Sequence, residues 1–336
     1  VTFQFMQNLG VLLSARSKAK EAEELLRAAL EGRRKIVGED HPDTLASKES
    51  LGVMLAGRGK LREGEELLRA VLEARRRLLG GDHASTIQIT SQLASLLEMK
   101  NERAAAESLL SEAYASIQRT KSYARPEAAW IVSQLVELLQ KRGELAAAER
   151  IATETLAAQR QSELAPSVST IRTMTSLGLI LHQQGKLGEA EVELRAVLPL
   201  LRKRDGDQGS TTQMVAMVLA SILVKSSRCP EAVDLLESFE TPALPARASV
   251  ADRVQRATFL QTLGRAQMGI GTVESFVGAE KALLEAYERS LALGAKSKFA
   301  QTSAEALVAL YQAWQALAPS AEHAQALAKW QALVKR

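Results

Sequence analysis

The chain has 336 residues, 46% of them hydrophobic but only 4% aromatic, and 24% charged with a net charge of +4. The apolar content is mostly Ala, Leu and Val, which suits closely packed helices and argues against a sandwich or barrel. The average charged content excludes wholesale disorder, the near balance of 43 basic and 39 acidic residues gives no general pull toward nucleic acid, and a single cysteine, Cys229, excludes an internal disulfide or a multi-cysteine zinc site.

In chain order, the N-terminus Val1-Thr2-Phe3-Gln4-Phe5 has no basic start, no cleavage signature and no initiator methionine. It reads as part of a longer chain without a secretory leader. From there a 42-residue period governs the pattern. Leu9, Leu51, Leu93, Leu135, Leu177 and Leu219 form one file, and Leu13, Leu55, Leu97, Leu139, Leu181 and Leu223 a second. A small residue follows most members of the first file (Gly10, Gly52, Ala94, Val136, Gly178, Ala220), and another small file runs Ala22, Gly64, Ala106, Ala148, Ala190, Ala232. Within each unit the apolar residues recur at spacings of three and four, so each unit is predicted to be two amphipathic helices. The turn between them falls at Ser17, Gly59, Asn101, Gly143, Gly185 and Ser227, and boundaries such as Gly38…His41-Pro42-Asp43-Thr44 and Ala165-Pro166-Ser167 separate the units.

Pro199 falls inside the fifth unit's second helix, where it should kink or shorten it. The longest strongly apolar run, Met214 to Val224, stops at Lys225 and is far short of the ~20 residues a membrane span needs. Glu240-Thr241-Pro242-Ala243-Leu244-Pro245 is a proline-rich connector, and a hinge is expected near 240–250. Beyond it two degenerate units follow. Leu263-Gly264 restarts the pattern two residues late, Ala279 and Leu283 are displaced further through Gly269-Ile270-Gly271-Thr272, and an eighth pair carries Leu307, Tyr311, Ala324, Leu327 and Trp330.

This pattern resembles the tetratricopeptide repeat, in its kinesin-light-chain form, most literally at Val37-Gly38-Glu39-Asp40-His41-Pro42-Asp43-Thr44 and Gly59-Lys60-Leu61. It departs from that family at Lys48, where a buried apolar residue is usual, and at the aromatic positions, which are mostly Leu. The Ala- and Arg-rich units look bacterial. The resemblance implies an all-α fold, a right-handed α-solenoid of about eight helix pairs, with residues 1–240 as six regular units and 241–336 as two degenerate ones continuing the solenoid. It also implies that the first helices line a concave groove for a protein or peptide.

No catalytic constellation stands out. His41, His83, His182 and His323 are scattered, and the first two recur at the repeat period in turns, where capping is the expected role. No metal site and no cofactor site is expected. Cys229 precedes Pro230 at a helix start and is read as a small turn residue rather than a reactive thiol. The clusters Arg33-Arg34-Lys35, Arg75-Arg76-Arg77 and Arg202-Lys203-Arg204 are read as cations near helix C-termini rather than a phosphate-tracking stripe.

The candidate groove residues are a polar ladder of Asn8, Ser50, Gln92, Gln134 and Ser176, with Trp130, Arg172 and Met214 one turn upstream and Met217, Lys225 and Arg265 on the same helices. Amide and hydroxyl groups in successive units suit the backbone of an extended segment. Glu49, Glu98 and Glu137 make the early groove acidic, and Lys141, Arg172, Lys225 and Arg265 make the later part basic. The Lys-and-Asn set that holds a chaperone's terminal carboxylate is missing, since Gln7 and Val11 take its first places, and the strongly basic groove of kinesin cargo binding is missing too. The expected function is a non-catalytic, cytoplasmic interaction scaffold, part of a multidomain protein. The alternative is a sensor module whose ligand compacts the array and signals to an attached effector.

Overall fold

The 42-residue leucine files become the cores of consecutive helix pairs. The computed structural model describes residues 2–16, 18–123, 125–162, 166–239, 249–292, 294 and 297–335, all helix and connecting turn with no strand among them. Eight pairs follow in order: α1 (Thr2–Ala15) with α2 (Ala19–Val37), α3 (Pro42–Gly57) with α4 (Leu61–Leu79), α5 (Ala84–Met99) with α6 (Arg103–Thr120), α7 (Pro126–Arg142) with α8 (Leu145–Ser162), α9 (Val168–Gln183) with α10 (Leu187–Asp205), α11 (Ser210–Lys225) with α12 (Cys229–Glu237), α13 (Val250–Ile270) with α14 (Val273–Leu291), and α15 (Lys298–Leu317) with α16 (Ala321–Val334). Residues 1–176 and 177–336 form two units. Ser17, Ala165 and the connector 240–248 lie outside the described residues.

Both leucine files are buried from the second pair through the sixth. The paired helices meet where the first carries a small residue. A Cβ on Gly52 would come within 2.9 Å of Leu68, and one on Gly178 within 2.6 Å of Leu194. At Gly64 it would reach the Gly52 carbonyl at 2.8 Å, so the two backbones cross with no room for a side chain. The turn file does what its residue types permit: Gly59, Asn101, Gly143, Gly185 and Ser227 all lie at left-handed φ, between 58° and 81°. At the unit boundaries His41 Nδ1 accepts from the Asp43 amide and His83 Nδ1 from the Ser85 amide, so both histidines are N-caps.

In the first unit, α1 approaches α3, α3 approaches α5 and α5 approaches α7 closely along the backbone, whereas α2, α4 and α6 do not approach one another so closely. The first helices therefore line the tighter, inner side of this unit. The outer helices are tied by charge. Glu23 on α2 pairs with Arg27, Arg58 and Lys60, Glu65 on α4 with Arg69 and Lys100, and Glu107 on α6 with Arg142. Glu191 on α10 repeats the arrangement in the second unit with Arg195 and Arg228.

Three features of the sequence find their explanation here. Helix α10 runs its full 19 residues through Pro199, which sits on an exposed face where water can take the carbonyl bond the proline removes. Lys48 is accommodated because Glu39 pairs with it at 2.5 Å. The first helix is formed: Phe3 packs over Gly32, and Arg33 donates to Gln7 and, at 2.7 Å, to Gln4. Phe5 nonetheless stays 68% exposed and Leu9 47%.

Candidate functional site

Helix spacing brings the polar ladder and the tryptophan together in the first unit. On α5, Gln88, Ser91, Gln92 and Ser95 share one face, and on α7 Glu127, Trp130 and Gln134 share the face opposite. These seven residues line a cleft of about 320 Å³. Trp130 is 53% exposed, and the Arg172 guanidinium from α9 lies 4.1 Å from its ring centroid. Such a cation–π contact holds the indole at the rim, at about 0.5–1 kcal/mol for an exposed pair.

The amides divide into those already engaged and one that is not. Gln134 accepts from Ser91 Oγ at 2.6 Å and donates to Ser95 Oγ at 2.6 Å, so it ties α7 to α5. Ser50 accepts from Gln7 at 2.9 Å, and Asn8 from Gln4 at 2.9 Å. Gln92 is different: its Oε1 is buried and has no hydrogen-bond partner. An orphaned acceptor of this kind costs about 1–3 kcal/mol, which a ligand donor would recover. Gln92 also lines a second cleft of about 380 Å³, with Val11, Ser50, Val53 and Met54 among its walls. Gln92 thus lines two clefts along α1, α3, α5 and α7.

Part of the expected charge pattern is paired locally. Lys141 pairs with Glu137 at 2.8 Å and Arg75 with Glu49 at 2.6 Å. The basic clusters are likewise engaged: Arg33 is buried against Ser47 and the Asp43 carbonyl, while Arg34, Arg76, Arg77, Arg202 and Arg204 each meet a carboxylate. Of the other candidates, Ser176 is half-buried in the first unit. In the second unit, Met214, Lys225 and Arg265 are exposed and Met217 half-buried. There His182 Nε2 stands 3.5 Å from Ser221 Oγ, and burial with the nearby Lys225 charge lowers its pKa, which keeps the ring neutral at neutral pH. Cys229 is buried with its sulfur against Gly269, an environment for packing rather than thiol chemistry.

Among the described residues, no group of three or more His, Cys, Asp or Glu could hold a metal ion, and no helix is long and apolar enough to cross a membrane. Sequence reasoning missed the file Glu23, Glu65, Glu107, Glu149, Glu191, although its 42-residue interval is visible in the chain.

Two tetratricopeptide-repeat profiles match residues 2–43 and 46–119. Among solved structures, BtubC (BKLC) from P. vanneervenii is 20% identical with a TM-score of 0.56, covering 69% of this chain and 92% of its own. The apo form of RapI is 11% identical with a TM-score of 0.59 and covers 100% of this chain and 99% of its own. PH0952 from Pyrococcus horikoshii, a signal transduction ATPase with numerous domains and a tetratricopeptide repeat sensor, is 13% identical with a TM-score of 0.61, covering 99% of this chain and 47% of its own. A comparison with curated proteins found no match.

Proposed function

We infer the function from one premise: the chain belongs to the tetratricopeptide-repeat family. On it we propose a non-catalytic interaction scaffold that takes an extended segment of a protein partner along the inner helices of the first unit. The observation that carries this reading is the Trp130 cleft, where an exposed indole held by Arg172 stands beside the unsatisfied Gln92 carbonyl. A backbone N–H of the segment would satisfy Gln92, and an apolar side chain would lie on Trp130, whose ring buries much area at small entropic cost. Gln134 serves differently, as the strut that keeps α5 and α7 in place. Arg172 would meet acidic residues of the segment. In the second unit, Met214, Met217, Lys225 and Arg265 offer apolar and cationic groups to a separate portion of the partner.

The test is a displayed library of random peptides panned against the purified chain. Enriched peptides should lose at least about tenfold in affinity, roughly 1.4 kcal/mol, against Trp130→Ala and against Arg172→Glu, with the thermal midpoint nearly unchanged. No enrichment, or binding indifferent to both variants, would overturn the reading.

A second reading, a sensor whose ligand compacts the array for an attached effector, is suggested by the fold likeness to PH0952, which spans 99% of this chain and 47% of that one. Small-angle scattering separates the two. A scaffold keeps its radius of gyration when an enriched peptide binds, and a sensor shrinks.

A further inference from the structure

One exposed face of α1 carries apolar residues where the next repeats carry core. Phe5, Leu9 and Leu12 lie four and three residues apart, on one stripe of the helix, and all three are exposed. One period later Leu51 and Met54 stand at the places of Leu9 and Leu12, and one period after that Leu93 and Leu96 do; these four residues are at most 6% exposed. What covers Leu51 and Met54 is visible. They cluster with Leu26 of α2, and Leu30 packs against the same group. The α1 stripe is also preformed, because Phe3 over Gly32 and the Arg33 bonds to Gln4 and Gln7 fix that helix against α2.

We propose that the Phe5–Leu9–Leu12 face of α1 is a docking surface for the second helix of a further helix pair of this repeat type. The occupant presents two leucines four residues apart, as α2 presents Leu26 and Leu30 to α3, and it continues an interface that α2–α3 and α4–α5 already make. It is a folded amphipathic helix with an apolar stripe. It is distinct from the extended segment proposed for the inner clefts, and neither proposal depends on the other.

The repeat period supplies the probe. A copy of residues 43–84 placed directly ahead of Val1 keeps the 42-residue register, so that its Leu68 and Leu72 land at the places opposite Leu9 and Leu12. The extended chain should melt in one transition, about 5 °C or more above the original, and bind less of an apolar-surface dye. Leu9→Asp should leave the original chain's midpoint almost unmoved yet abolish the gain in the extended chain. The double change Leu68→Asp, Leu72→Asp in the appended copy should do the same. A separate low-temperature transition for the appended pair, or a gain that survives Leu9→Asp, would overturn the proposal. So would concentration-dependent dimers of the original chain that Leu9→Asp dissolves in sedimentation velocity, because the face would then belong to a second copy.

Discussion

In α3–α6 neighbouring helices meet through leucines, alanines and glycines held at a strict 42-residue interval, whereas in α13–α16 large rings join the leucines and alanines of the core. Phe276, Tyr311, Trp314 and Trp330 form one buried cluster there, with Phe276 and Trp314 5.9 Å apart and Tyr287 edge-on to Trp330 at 4.9 Å. The helix starts differ as well. First helices are capped in both regions, α3 and α5 by His41 and His83 and α13 and α15 by Ser249 and Ser297. The second helices α4 and α6, however, begin from a left-handed turn with no side-chain cap, while α14 and α16 are capped by Thr272 and Ser320. The comparison shows two routes to one packing. Small residues and leucines interlock only if every unit keeps register, so insertions are excluded. Large rings fill space over a wider range of offsets, and local caps fix each helix start without reference to its neighbour. This is why the sequence drifts after residue 240 while the helix pairing persists.

The sharpest way to break the contrast is to remove one core group from each region. Trp314→Ala should cost about 3–5 kcal/mol and Leu97→Ala about 2–5 kcal/mol, read by chemical denaturation, with the tryptophan variant the worse of the two. Equal small losses would mean that neither packing scheme has been identified correctly.

A feature shared by both regions gives the next test. Gly52 and Gly264 each accept a leucine from the partner helix, and a Cβ would come within 2.9 Å of Leu68 and 2.6 Å of Leu283 respectively. Either glycine replaced by Ala should destabilise by about 1–3 kcal/mol despite the better helix propensity of alanine. A stabilised Gly264→Ala chain would show that the ringed region packs more loosely than its geometry implies.

The smallest expected effect is electrostatic and should mark the regular repeats. Lys60 above all holds the Glu23 carboxyl below its ordinary value of 4.5, as Lys100 does for Glu65 and Arg195 for Glu191. A depressed folded-state pKa stabilises fully above the unfolded value and is lost as pH falls through the folded one. Glu23→Gln should therefore cost about 1 kcal/mol or less at pH 7, less still in high salt, and nothing in strong acid. Hydrogen exchange across pH 7 to 3 should open α2–α6 faster than α13–α16, and uniform opening would remove the distinction.

How far the site could be read in advance depends on where each partner lies. Trp130 and Gln92 stood out because a rare ring and a recurring amide are properties of single positions. The engagement of Gln134 did not, because Ser91 and Ser95 lie 43 and 39 residues away on another helix. The arginine clusters divide between the two cases, since Arg76 and Arg77 meet carboxylates 36 and 37 residues away while Arg34, Arg202 and Arg204 meet ones within five residues.

The sequence by itself determined the helix pairs, their turns and their order, since leucine spacing, small residues at crossings and left-handed turn residues are local or strictly periodic demands. Tertiary structure decided which polar groups are used up and which apolar ones are left over. Gln134 and Gln92 are the same residue type at the same place in adjacent repeats, and only the serines across the helix interface satisfy one while leaving the other's carbonyl buried and unbonded. Leu9 and Leu51 are likewise identical in type and register, and only the presence of a packed α2 beside Leu51 makes one of them core. A periodic pattern fixes what a residue can pair with, but satisfaction and burial depend on the atoms that arrive beside it in space.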